Sequence, residues 1–63
     1  MKHPLKYGAI VNTDNYRQMV KTDDGESHDL GGLDRVKDGK VGDRVILEYR
    51  THGSMSLWFG RLA

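Results

Sequence analysis

The stretch Arg44-Val45-Ile46-Leu47-Glu48-Tyr49-Arg50 decides the fold, because it is the clearest β-strand in the chain. It is rich in β-branched and aromatic residues, and alternate side chains of a strand point to opposite faces of the sheet. The pattern therefore predicts a half-buried strand. Its expected inward residues are Val45, Leu47 and Tyr49, and its expected outward residues are Arg44, Glu48 and Arg50.

Turn signals on both sides of this strand recur about every ten residues, which is typical of a small all-β domain. They delimit four further predicted strands, at residues 6–12, 16–22, 27–30 and 56–62. Between the second and third strands, Asp24-Gly25 predicts a hairpin, because both residues accept the positive φ of a type I′ turn. Thr51 to Ser54 are expected to form the last turn, with Gly53 supplying its tight conformation.

The connection from Gly31 to Asp43 is the least regular part of the chain and contains four of its eight glycines. Leu33 and Val36, three residues apart, are its apolar anchors. We expect at most a single helical turn, with Asp34 near its start and Gly39 at its end.

Five short strands with one irregular connection predict an all-β fold, a small five-stranded barrel that is OB-fold-like. An SH3-like barrel has the same number of strands and is the alternative, because the two differ in strand order rather than in local pattern. The 63 residues form one domain, with residues 1–5 expected to be flexible. A chain of this length buries only about 60% of its unfolded surface, and no cysteine is present to add a disulfide.

Ten lysines and arginines against nine acids give a formal charge of +1, which argues against a strongly electrostatic nucleic-acid binder. Most aspartates fall in predicted turns, where they hydrogen-bond the turn backbone. Five basic residues, Arg17, Lys21, Arg44, Arg50 and Arg61, lie instead within predicted strands. A basic sheet face with an acidic rim of loops is therefore a hypothesis that the small net charge still permits. No targeting or membrane segment is recognisable, so we expect a cytoplasmic location.

Aromatic side chains on a basic sheet face would suit single-stranded nucleic acid, because bases stack on the rings while cations contact phosphate. Trp58 is the first stacking candidate, since Leu57 and Phe59 beside it would take the inner face. Tyr7 and Tyr16 are further candidates. Two alternatives stay open: Trp58 is half-buried against the connection, covering Leu33 or Val36, and the cations are paired across strands with Glu48 or Asp29.

Catalysis and metal binding find no support in the sequence. Ser27, Ser54 and Ser56 lack a recognisable base, and the neighbours Ser27 and His28 would point to opposite faces of a strand. The histidines, His3, His28 and His52, are more than twenty residues apart and lack metal-site spacing. We therefore expect no enzyme, no cofactor and no metal.

Several segments resemble the OB-fold of the S1 type and, within it, the family of bacterial translation initiation factor one. They are Gly8-Ala9-Ile10-Val11, Tyr16-Arg17, Val20-Lys21-Thr22-Asp23-Asp24-Gly25-Glu26, Gly42-Asp43-Arg44-Val45-Ile46-Leu47-Glu48-Tyr49 and Gly60-Arg61-Leu62. Their order and approximate spacing hold from Gly8 to Leu62. The resemblance implies the barrel fold and binding of RNA or single-stranded DNA.

Two functional hypotheses follow. The first is a protein that binds single-stranded nucleic acid, with RNA favoured, through a face of its sheet. Its expected contact residues are Tyr7, Tyr16, Arg17, Lys21, Arg44, Arg50, Trp58 and Arg61. The second is an interaction module or inhibitor, of the kind phages and mobile elements encode, that docks on another protein through Met19, Met55 and Trp58. Self-association is a further expectation, and stable self-association would favour the second hypothesis over the first.

Overall fold

Five antiparallel strands make up one curled sheet in the computed structural model, which describes residues 4–32 and 34–63. The strands are β1 (Leu5–Thr13), β2 (Gln18–Thr22), β3 (Ser27–Leu30), β4 (Arg44–His52) and β5 (Met55–Leu62). The predicted all-β class is confirmed. The last two strands extend further than predicted, because Thr51 and His52 belong to β4 and only Gly53 and Ser54 form the turn. β1 begins at Leu5, so the last of the five N-terminal residues expected to be flexible belongs to the sheet.

The order of the strands in the sheet is β3-β2-β1-β4-β5. β1, β2 and β3 are joined by hairpins, and the connection through residues 31–43 returns β4 to the free side of β1. This is the Greek-key order, and an OB-fold is a partly open five-stranded Greek-key barrel. The pairing of β1 with β4 therefore makes the half-barrel OB-like. β3 and β5 approach each other without forming a ladder, which leaves a seam between them.

The concave face of the sheet forms the core. Its buried apolar residues are Ile10, Val20, Leu30, Val36, Val45 and Leu47. All except Val36 lie at inward-facing strand positions, and Val45 and Leu47, two apart on β4, follow the period-2 alternation. Val36 comes from the connection and covers the end of the barrel, which confirms it as an anchor, whereas Leu33 lies outside the described residues.

A buried glutamine attaches this connection to the sheet. Gln18, at the start of β2, is fully buried, and its amide Nε2 donates to the carbonyl of Val36 at 3.1 Å. Its Oε1 accepts from the backbone N–H of Val36 at 2.7 Å. The side chain thus takes the place of a neighbouring strand for a segment that has no ladder of its own. Every hydrogen-bonding group in this exchange is satisfied, as a buried amide requires.

The predicted helical turn does not form, and the described part of residues 31–43 contains only turns and bends. Asp34 Oδ1 accepts from the N–H of Gly31, and Asp43 Oδ2 from that of Lys40, both at 2.9 Å. These two aspartates therefore organise the turn backbone, as expected. The described residues include no helix long and apolar enough to cross a membrane.

The face assigned to β5 from the sequence is wrong. Trp58 pairs with Tyr49, and Gly60 pairs with the core residue Leu47, so Trp58 lies on the concave face. There its half-buried ring packs against the core. Leu57 and Phe59 take the convex face. The reason is Gly60, where a β-carbon would lie 2.6 Å from a methyl of Val36. Only a residue without a side chain fits between the connection and the sheet, and this position sets the phase of the strand.

The hairpin predicted at Asp24-Gly25 is present, but its turn is not type I′. The N–H of Gly25 donates to the carbonyl of Thr22, so Asp23 and Asp24 occupy the centre of the turn. Of these residues only Gly25 has a positive φ, at 93°. A turn followed by a glycine in this conformation is the G1-bulge form of a three-residue hairpin loop.

Candidate nucleic-acid interface

Four of the eight predicted contact residues meet on the convex face of the sheet. Ala9 of β1 pairs with Lys21 of β2 on one side and with Arg44 of β4 on the other. One alternation further along β1, Tyr7 pairs with Ile46, which in turn pairs with Arg61 of β5. Strands lie about 4.8 Å apart, so Lys21, Arg44 and Arg61 each emerge within roughly 10 Å of Tyr7, with Lys21 and Arg61 on opposite sides of it and roughly 16 Å from each other. We call Tyr7, Lys21, Arg44 and Arg61 the convex patch.

The convex patch presents an accessible ring beside two available cations. Tyr7 is 52% exposed, and Lys21 and Arg61 are also exposed. Within residues 4–32 and 34–63 neither Lys21 nor Arg61 has an acidic side chain at ion-pair distance. Their charges are therefore available to an anionic ligand.

Three of the predicted phosphate contacts are occupied by acids. Arg44 donates to both carboxylate oxygens of Asp23, at 2.8 and 2.7 Å, and this pairing raises the pKa of Arg44 and lowers that of Asp23. Arg50 donates to Glu48 of its own strand at 2.8 Å, with its guanidinium 5.5 Å from the centre of the Phe59 ring. Arg17 lies 3.5 Å from Asp29 of β3. All three arginines are thus paired surface charges, but only Arg17 has the cross-strand partner expected for it, since Arg50 pairs within β4 and Arg44 pairs with Asp23.

Tyr16 and Arg17 lie apart from the convex patch, in the turn between β1 and β2. Asp14 Oδ1 accepts from the N–H groups of both residues at 2.7 Å, and these bonds lower its pKa. The sequence predicts that the second strand begins at Tyr16, but β2 begins at Gln18, and Tyr16, 83% exposed, belongs to the turn. The hydrogen bonds from Tyr16 and Arg17 to Asp14 hold these residues in the turn, so the strand begins only at Gln18. An adjoining cleft of about 210 Å³ has both acidic and basic walls; its lining residues are Asn12, Asp14, Arg17, Met19 and Asp29.

Trp58 belongs to a separate cluster on the concave face, at the open end of the barrel. Its ring meets that of Tyr49 with centroids 5.0 Å apart and that of His28 edge-on at 5.4 Å. The ammonium of Lys6 lies 5.9 Å from the centre of the tryptophan ring. Trp58 is therefore half-buried, as the alternative held. The ring contacts that the structure gives it, however, are with the sheet residues Tyr49, His28 and Lys6 rather than with the connection, of which Leu33 lies outside the described residues. Lys6 is not among the site residues predicted from the sequence. Its position two residues before Gly8 and four before Ile10 places it on the inner face of β1.

The apolar docking cluster of the second hypothesis does not assemble. Met19 lies on the convex face of β2, Met55 lies at the tip of the β4–β5 hairpin, and Trp58 is on the concave face. β2 and β5 make no contact with each other in the described parts of the chain. These three side chains therefore do not share one surface.

A network of charged side chains centred on Lys6 lies beside the cluster around Trp58. The ammonium of Lys6 bonds Glu26 and also Asp24 at 2.9 Å, and both contacts raise its pKa, that with Glu26 more. Hydrogen bonds from the Thr22 hydroxyl and then from Lys6 lower the pKa of Asp24 to about 2. Bonds from Lys6 and from His28, whose ring nitrogen lies 3.2 Å from the carboxylate, lower the pKa of Glu26.

The domain is expected to lose stability in acid because of this network. Carboxylates whose pKa is lower in the folded state than in the unfolded state, about 3.9 for aspartate, stabilise the fold fully only above the unfolded value. For Asp24 the contribution disappears as the pH falls from there through about 2. Urea midpoints measured between neutral pH and this range should fall, and Asp24→Asn should reduce the fall. Asp38→Asn, in the connection, is the control, and an Asp24→Asn profile parallel to that of the parent would contradict the assignment.

The described residues contain no group of three or more histidine, aspartate or glutamate side chains arranged to hold a metal ion. Of the histidines considered from the sequence, His3 lies outside the described residues. A second cleft, of about 180 Å³, adjoins Tyr7 and is bordered by Leu5, Lys6, Asp23 and Asp24. Both clefts are smaller than the roughly 300 Å³ at which enclosed small-molecule sites begin. The convex patch is therefore an open surface rather than a pocket.

No family model matches the chain, and neither a curated protein nor a solved structure shows significant similarity to it. The resemblance to S1-type OB-folds therefore stays a prediction beyond the OB-like strand order. The function has to be argued from the surface itself.

Proposed function

We propose that this protein binds single-stranded nucleic acid, with RNA favoured, across the convex patch. The observation that supports the proposal most is the position of an exposed ring, Tyr7, beside two cations without ion-pair partners, Lys21 and Arg61. A base stacked on Tyr7 would bring neighbouring phosphates within reach of both cations, which is how open β-sheet surfaces hold single strands. Trp58, on the opposite face, has no part in this interface.

The charges next to Tyr7 give the interface a direction. Asp23 and Asp24 border the cleft on the side of Tyr7 that faces β2. Phosphates should therefore avoid the surface next to Asp23 and Asp24. They should instead lie beside Arg61 on β5 and beside Lys21, which on β2 lies opposite Ala9 rather than Tyr7. Arg44 is a weaker contact than either, because a phosphate would have to compete with Asp23 for its guanidinium.

The affinity should be modest and should depend on salt. Neutralising two or three phosphates of a single strand predicts a slope of log K against log salt of about −1.4 to −2.1. A fourfold rise in salt concentration would then weaken binding by roughly 7- to 20-fold. Fluorescence anisotropy of labelled, mixed-sequence RNA and DNA oligonucleotides measures the slope and the RNA preference together.

The interface can be tested with matched variants. Replacing both Lys21 and Arg61 by glutamine should reduce the slope to between zero and about −0.7, because the two available cations are lost and at most the weaker contact at Arg44 remains. The control removes two charges from the connection, with Lys37 and Lys40 both changed to glutamine. Tyr7→Leu should weaken binding by the value of one stacked base, about 1–3 kcal/mol. Tyr16→Leu, at an exposed tyrosine outside the patch, should not.

Absence of binding at low salt, or equal losses in patch and control variants, would reject the convex patch as a nucleic-acid interface. The search would then turn to a protein partner.

A further inference from the structure

The outer edge of β5, on the side of the seam with β3, carries backbone groups that no neighbouring strand pairs. In an antiparallel ladder, alternate residues of a strand direct their N–H and C=O groups to opposite sides. The two-residue turn at Gly53-Ser54 makes His52 and Met55 the first pair of the β4–β5 ladder. Met55, Leu57 and Phe59 then bond to β4, and Ser56, Trp58 and Gly60 direct their backbone groups to the open edge.

Three hydrogen bonds outside the ladder support this assignment. The N–H of Ala63 donates to the carbonyl of Arg44, so the backbone groups of odd-numbered residues in β5 point toward β4. The N–H of Gly60 donates away from β4, to the carbonyl of Asp34. The N–H of Tyr49 donates to Pro4, so the odd-numbered residues of β4 face β1. Among the described residues, the backbone N–H groups of Ser56 and Trp58 find no acceptor.

This part of β5 also lacks the usual protection against strand pairing. Natural edge strands carry lysine, proline, inward charges or a covering segment. Residues 55–60 contain neither a charge nor a proline. In the described part of the connection, the hydrogen bond to this edge is the one from Gly60 to Asp34, and β3 approaches β5 without pairing with it. Beyond the last β1 partners, Tyr49 and Glu48, the hairpin extends as a two-stranded ribbon whose tip includes Met55, 59% exposed.

We infer that the free edge of β5 pairs antiparallel with β5 of a second copy of this chain, about a two-fold axis at Leu57. Ser56 of one copy then lies opposite Trp58 of the other, and the two-fold axis makes this pairing occur twice. At each pairing the backbone N–H of each residue donates to the backbone C=O of the other. On the convex face Leu57 meets its own counterpart, and Met55 meets Phe59. Arg61 falls opposite Gly53, so no like charges oppose each other.

The self-complementary register is what identifies a second copy as the occupant. A two-fold interface places the same surface on both partners, so it forms only where a strand tolerates its own reversed sequence. On the convex face apolar residues oppose apolar residues, on the concave face the small Ser56 opposes Trp58, and the one nearby charge opposes a glycine, so the strand meets that condition. The dimer would join two half-barrels into one continuous sheet, and it does not depend on nucleic-acid binding.

Disulfide trapping tests the register directly, because the chain has no cysteine. In Leu57→Cys the two thiols would face each other across a non-hydrogen-bonded pair, with α-carbons about 4.5 Å apart. Mild oxidation should convert this variant to a covalent dimer. Met55→Cys is the matched control, because its thiol is on the same strand and face yet four residues from its counterpart, roughly 13 Å away. It should stay reduced.

Sedimentation equilibrium of the unmodified protein, from micromolar to millimolar concentration, gives an independent measurement. Self-association is expected, and Ser56→Pro should weaken it at least about tenfold, because it removes an outward N–H from each copy without affecting the β4–β5 ladder. Circular dichroism confirms that the variant is folded. A protein that stays monomeric throughout the range, or equal trapping of Leu57→Cys and Met55→Cys, overturns the proposal. Trapping through Ser27→Cys in place of Leu57→Cys would also overturn it, since it assigns pairing to β3.

Discussion

Replacing Gln18 by leucine is expected to remove a large part of the free energy of unfolding of this domain. Leucine fills a similar volume but cannot bond Val36, whose N–H is then buried without a partner, while its C=O keeps the N–H of Gly39 at 3.3 Å. The unpaired N–H costs about 1–3 kcal/mol and the second lost hydrogen bond about 0.5–1.5 kcal/mol, so the expected loss is about 1.5–4.5 kcal/mol. A domain of this length typically has only about 3–9 kcal/mol of stability. Urea unfolding followed by circular dichroism measures the difference.

The specific feature of this prediction is where the damage should begin. The connection loses its attachment to the sheet, so amides of residues 34–39 should exchange with deuterium much faster than those of β1 and β4. Met19→Leu, on the exposed convex face next to Gln18, is the control and should change stability by less than about 0.5 kcal/mol. A Gln18→Leu protein as stable as the control would show that the amide is not what holds the connection.

Gly8→Ala is expected to have a comparably large effect, for a different physical reason. A β-carbon at Gly8 would lie 2.5 Å from the carbonyl oxygen of Lys21 and 2.9 Å from the α-carbon of Thr22. Both atoms belong to the backbone, so no side-chain rotation can relieve the overlap. β1 would have to move away from β2, at a cost of about 1–3 kcal/mol or more.

Thermal unfolding provides the test of this close approach. A loss of 1 kcal/mol lowers the melting temperature of a domain of this size by about 4–8 °C, so the shift should be easy to measure. Ala9→Val adds more carbon to the next residue of the same strand, on the convex face, and should leave the melting temperature nearly unchanged. If both variants melt like the parent, β1 and β2 are not as tightly packed at Gly8 as the structure indicates.

Both predictions concern residues that local sequence patterns identify poorly. Gln18 was expected to share a face with Val20, but nothing in the sequence indicates that a polar side chain is fully buried, because its partner lies 18 residues away. Gly8 fits a strand that could belong to any small barrel. The need for a glycine there comes from the backbone of β2, which only the folded sheet brings close.

The candidate interface was likewise predictable only in part. The sequence predicts that Lys21 lies on the convex face, because side chains alternate between the two faces along its own strand. It does not predict which charge is available to a ligand, since Arg44 is paired with Asp23 across 21 residues and Lys21 is unpaired. Trp58 was assigned to the wrong face because the run Leu57-Trp58-Phe59 is apolar throughout and fits either phase of a strand.

The sequence by itself determined the all-β class, the number of strands and the positions of the turns. These depend on period-2 patterning, on glycine and on aspartates that bond their own turn backbone, all of which act over a few residues. Only the tertiary structure decided that β4 pairs with β1, which face Trp58 occupies and which cations remain available. These outcomes depend on contacts between residues far apart in the chain, because packing and charge pairing select among arrangements that local preference leaves equal.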